Sequence, residues 1–143
     1  MKKMILMLVM MFALTSCQSQ ENKVITFDKL PSKAQSFIKS NFSNMNILQI
    51  VKDNELFDKE YVVYFTEGSK IEFNKKGDWE DIEIKTGVPK SILNASINNF
   101  ITKNHQNTKV VDINKDKRDY EVKLDNSIEI VFNLNGDFLR YDD

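Results

Sequence analysis

Apolar residues change their spacing along the chain, and each change predicts an element. Ala34, Phe37, Ile38 and Phe42 recur at three- and four-residue intervals, as do Leu93, Ile97, Phe100 and Ile101. That spacing puts one apolar stripe on an otherwise polar helix. Pro31 and Pro89 precede the stripes and suit a first helical turn, where a missing N–H costs nothing. Beyond each helix the period drops to two. Ile47 to Val51 and Val110 to Ile113 read as short strands. Tyr61, Val63 and Phe65 alternate with Val62, Tyr64 and Thr66, while Tyr120, Val122 and Leu124 alternate with Glu121, Lys123 and Asp125. The shared apolar set is the expected buried face. Ile71 with Phe73, and Ile130 with Phe132, begin a third strand. Asn74 with Gly77, and Asn133 with Gly136, supply the turn chemistry that folds it into a fourth strand.

These patterns occur twice. Phe73 to Trp79 reads Phe-Asn-Lys-Lys-Gly-Asp-Trp and Phe132 to Phe138 reads Phe-Asn-Leu-Asn-Gly-Asp-Phe, each downstream of Tyr-x-Val-x-(Phe/Leu). The reading is a duplicated unit of one helix and four antiparallel strands, over 27–86 and 87–143. Leu30-Pro31 aligns with Val88-Pro89 and Phe42 with Phe100 at one offset. The strands align at an offset one residue larger, which places a one-residue insertion in the second helix–strand connection, where loops absorb length.

The first residues follow a different logic. Lys2 and Lys3 precede the apolar run Met4–Leu14, which is too short for a mature membrane span. The run ends in Leu14-Thr15-Ser16-Cys17, which resembles the lipobox of bacterial lipoproteins. On that resemblance residues 1–16 are a signal peptide, Cys17 becomes the lipidated N-terminus, and residues 17–26 form a polar tether. Gln18 follows the cysteine where aspartate would favour inner-membrane retention, so the expected location is the periplasm, anchored to the outer membrane. Cys17 is the chain's sole cysteine, so the folded body, about 115 residues, must be held by apolar burial without a disulfide.

Charge narrows the partners. Loss of Lys2 and Lys3 with the leader leaves 18 basic against 21 acidic residues, a net charge of −3. Nucleic acid and anionic lipid headgroups are therefore poor partners, and membrane attachment falls to the lipid on Cys17.

A lipoprotein leader, helices introduced by proline, Tyr-x-Val-x-(Phe/Leu) strands and doubled Asn-x-x-Gly-Asp-(Trp/Phe) hairpins together resemble the PepSY-like family of Bacteroidota periplasmic lipoproteins, described as beta-lactamase-inhibitor-like. The resemblance spans the mature chain. It implies an α+β fold, two tandem helix-plus-four-strand repeats with the helices on one sheet face and the other face open. It carries no catalytic residues to transfer, and a likeness of fold does not carry function.

The residues themselves argue against catalysis. His105, the single histidine, sits near the end of the second helix with no nucleophile or orienting carboxylate placed by spacing. No phosphate loop, nucleophile elbow or zinc-protease motif is present. Asp112, Asp116 and Asp119 with Asn114 read as an acidic loop, but Lys115, Lys117 and Arg118 interleave and would repel a cation, so no metal or cofactor is expected. Asp53, Glu55, Asp58 and Glu60 read as a solvated turn, and Asp78 and Asp137 as turn formers. What remains is a surface. Val62 and Tyr64 should point to the open face, and Glu121 and Lys123 hold the matching places in the second unit. Trp79, matched by Phe138, is either packing or contact, and Val131 is a further open-face position. The expected function is a non-catalytic, lipid-anchored envelope module binding an unknown protein or peptide through Val62, Tyr64, Trp79, Glu121 and Lys123. The alternative is a structural or envelope-stress lipoprotein with no defined partner.

Overall fold

A computed structural model describes residues 22–53 and 59–142. The leader, Cys17, Glu55 and Asp58 lie outside the described residues. Among the described residues nine strands form one antiparallel sheet in chain order. They are β1 (Lys23–Ile25), β2 (Ile47–Lys52), β3 (Lys59–Phe65), β4 (Lys70–Asn74), β5 (Trp79–Glu83), β6 (Val110–Lys115), β7 (Asp119–Leu124), β8 (Glu129–Asn133) and β9 (Phe138–Asp142). Helix α1 (Ser32–Asn41) precedes β2 and helix α2 (Ala95–Asn104) precedes β6. The chain is thus α+β, and β1 occupies the last residues of the expected tether. Among the described residues no helix is long and apolar enough to cross a membrane.

Alternation decides the two faces. The registers align Ile25, Ile50, Val63, Ile71, Ile82, Ile113, Val122, Ile130 and Tyr141 as one row across all nine strands. The seven from Ile50 to Ile130 are each at most 3% exposed. With Ala34 and Ile38 of α1 and Ile97 and Ile101 of α2 they make one continuous core. Each helix locks onto the sheet by an edge-to-face aromatic pair: Phe37 against Phe73 at 5.8 Å and Phe100 against Phe132 at 5.3 Å.

Those pairs correct the expected helix alignment. Phe100 corresponds to Phe37, not Phe42. Asn41 and Asn104 each donate from Nδ2 to the carbonyl of that phenylalanine, both at 2.9 Å. The N-caps are Pro31 (φ −53, ψ 140) and Asn94 (φ −55, ψ 139). Pro89 therefore does not open α2. It lies in a turn closed by Ile92 N–H to its carbonyl, and Leu93 precedes the helix rather than joining its stripe. The extra residues lie ahead of α2, and the compensating difference lies between β2 and β3, not in a one-residue insertion after the helix. Lys52 over Tyr61 and Lys115 over Tyr120, at 5.7 and 5.6 Å, mark the same correspondence in the sheet.

The doubled hairpins dock the helix starts. Asn74 Oδ1 accepts from Lys76 and Asp78 N–H, and Asn133 Oδ1 from Asn135 and Asp137 N–H. The asparagine thus builds the turn, while Asp78 pairs with Lys33 of α1 and Asp137 accepts from Asn133. Gly77 has φ +83, and a Cβ there would meet Ala34 N at 2.9 Å. The glycine lets α1 begin against the hairpin tip. At the second tip, Asn94 donates to the Asn135 carbonyl at 3.2 Å while its Oδ1 caps Ser96 N–H.

Candidate interaction face and grooves

The face away from the helices carries two aligned rows of side chains. One begins with Val24, Val51 and Val62, continues through Glu72, Asp81, Asn114 and Glu121, and ends at Val131 and Arg140. The other runs Gln49, Tyr64, Lys70, Glu83, Asp112, Lys123, Glu129, Asp142. The β1–β3 end is apolar and aromatic, and the rest is dense in carboxylates.

Lys70 holds the middle together. Its Nζ lies 3.0 Å from Glu72 Oε1 and 3.4 Å from Asp81 Oδ2. Burial draws the Lys70 pKa down, but the hydrogen bonds and charges of Glu72 and Asp81 outweigh it and the group is held above the ordinary lysine value. One strand further, β5 meets β6 with Glu83 directly opposite Asp112. Burial, then the Asp81 and Glu83 carboxylates, push Asp112 up to about 7, against the opposing charge of Lys70. Asn114 donates to Asp81 Oδ1 at 3.4 Å across the same joint.

Beyond the joint lies a groove of about 250 Å³, lined by Asp81, Asp112, Glu121, Lys123 and Glu129 among others. Lys123 pairs with Glu129 at 3.0 Å, which raises the lysine pKa, the hydrogen bond first and the charge second. Among the described residues no group of three or more His, Cys, Asp or Glu is arranged to hold a metal ion.

The sequence-derived residues separate into three places. Glu121 and Lys123 line the acidic groove. Val62 and Tyr64 lie on the same face four strands away, about 19 Å at the usual strand spacing. Trp79 is not on this face. It is half-buried against the core beside Tyr120, centroids 6.4 Å apart, with Lys115 over its ring. Val131 faces the groove but is only 1% exposed. Asp112 and Asn114 lie within β6 rather than in an acidic loop, whereas Asp116 does form the turn, accepting from Arg118 and Asp119 N–H. His105 is the C-cap of α2 and hydrogen-bonds Tyr141 Oη at 3.0 Å. Lys70, Asp81 and Glu83 were missed, although Lys70-x-Glu72 and Asp81-x-Glu83 around Ile71 and Ile82 carried the alternation that puts charge on the open face.

Among the described residues, one antiparallel sheet with both helices on one side and a charged outer face define a two-layer α+β scaffold. A family model described as "Putative beta-lactamase-inhibitor-like, PepSY-like" matches residues 15–58 and 59–140, and the chain belongs to this family. A Bacteroides thetaiotaomicron structure described as a "putative calcium-regulated periplasmic protein" is 38% identical, with TM-score 0.83 over 87% of this chain and 98% of that one. A Bacteroides vulgatus structure described as a "putative periplasmic protein" of the DUF2874 family is 36% identical, TM-score 0.81, covering 87% and 99%. A second Bacteroides vulgatus structure, described as a "putative periplasmic protein of unknown function", is 31% identical, TM-score 0.79, covering 86% and 100%. No curated protein matches the chain. Neither the family nor these neighbours is described by a catalytic activity.

Proposed function

We propose that this protein is a non-catalytic cell-envelope binding module, anchored through lipid on Cys17 to the outer membrane. It takes a protein or peptide partner on the open sheet face and so inhibits or regulates a periplasmic or secreted protein. We also read its halves as two copies of one helix-plus-four-strand unit. The observation that carries the proposal is the one-sided sheet. Both helices pack on one face, which leaves Val51, Val62 and Tyr64 beside a carboxylate-rich strip with no element of the described residues over them. An apolar and aromatic patch supplies the anchor of an interface, and its charged surround supplies selectivity for a partner with basic groups.

Calcium regulation, stated of one relative, does not transfer readily. The open-face carboxylates are interleaved with Lys70 and Lys123, and no described group offers a converging oxygen set.

The test is capture in the native envelope. Tyr64→Ala with Val62→Ser should lose the partner that wild type retains, at unchanged thermal stability. Retention of the same partner by the double variant would refute the face assignment.

A further inference from the structure

The two halves differ at their helix C-caps. α1 ends on Phe42, 2% exposed and packed against Phe37 and Phe65 at 5.9 and 6.1 Å. α2 ends at the corresponding place on His105. Both cap N–H groups donate four residues back at 2.8 Å, to Ile38 and Ile101. Where phenylalanine plugs the first half, the imidazole of His105 reaches outward to Tyr141. Beside it lies a groove of about 530 Å³.

The floor of this groove is Val88, Leu93, Ile101 and Val110, and Lys90 and Lys109 stand on its rim. Among the described residues no Asp or Glu lines it, and neither lysine forms an ion pair. This reverses the open face, where carboxylates crowd. Two carbonyls at the end of α2 are already taken by the chain itself. Ile101 O is taken by His105 N–H, and His105 O by Thr108 Oγ1 at 2.6 Å. A groove of this volume fits a small molecule rather than a protein segment.

We infer that this groove binds a small amphipathic anion, its apolar body on Val88 and Leu93 and its carboxylate between Lys90 and Lys109. The apolar floor supplies affinity, and two ammonium groups without an ion-pair partner among the described residues select a negative head. His105 keeps the groove open by holding to Tyr141 instead of packing inward.

The purified full chain, ¹⁵N-labelled, is titrated with phenylbutyrate and with its uncharged counterpart phenylbutanol, following amide shifts. The expected result is shifts confined to residues 86–110, with the carboxylate bound about ten-fold more tightly than the alcohol. Lys90→Gln with Lys109→Gln, both exposed and so harmless to the fold, should erase that difference and leave alcohol binding unchanged. His105→Phe should weaken both ligands by plugging the groove. Equal affinity for acid and alcohol, shifts centred elsewhere, or no shifts at millimolar ligand would overturn the inference.

Discussion

Asp112 shows how a single residue tunes this fold. It faces Glu83 across the β5–β6 ladder and stands near Asp81, so its ionisation adds charge to a site already negative. Its folded pKa of about 7 lies above the ordinary 3.8. Between those values the folded chain holds a proton that the unfolded chain has released, so this group's contribution to stability falls as pH rises through that window. Asp112→Asn removes the titration. Thermal melts at pH 4.5 and 8 should show wild type losing stability across the interval and the variant losing less, with the variant ahead at pH 8 by about 1 kcal/mol once solvent screening of this half-buried group is counted. Parallel pH profiles for the two proteins would show that Asp112 titrates normally.

At the level of elements, the strands were legible and the helix registers were not. Two-residue alternation and Asn-x-x-Gly turns are local signals, and β3–β5 and β7–β9 follow them. β1 left no such signal, since Lys23-Val24-Ile25 is only three residues long and owes its strand to pairing with β2. The helices were misaligned because Pro31 with Pro89, and Phe42 with Phe100, are local look-alikes. Their true register is set at long range, by Phe37 on Phe73, Phe100 on Phe132 and the hairpin tips against the helix starts. The open face was half legible: Val62, Tyr64, Glu121 and Lys123 emerged from alternation, whereas Lys70, Asp81 and Asp112 needed the strand order to come together. The docking role of the hairpin makes its own prediction. Gly77→Ala forces a side chain into a left-handed position against Ala34 N, and denaturant unfolding should show a loss of about 1–3 kcal/mol. A loss within 0.5 kcal/mol, roughly the scatter of neutral surface substitutions, would mean that the tip and α1 are not packed as described.

Across the whole molecule, charge is divided by the sheet. Neither helix contains Asp or Glu, and together they carry Lys33, Lys39 and Lys103, while the other face bears Glu72, Asp81, Glu83, Asp112, Glu121 and Glu129. The helix side is thus the closed, basic side and the sheet side the open, acidic one, with an apolar end at Val51, Val62 and Tyr64. The most direct test of this account is site-specific photocrosslinking in living cells, with the crosslinker placed at Tyr64, at Glu121 and, on the helix side, at Lys39. The account predicts a shared protein adduct from Tyr64 and Glu121 and none from Lys39. An adduct from Lys39 alone, or no adduct from either sheet-face position, would contradict it.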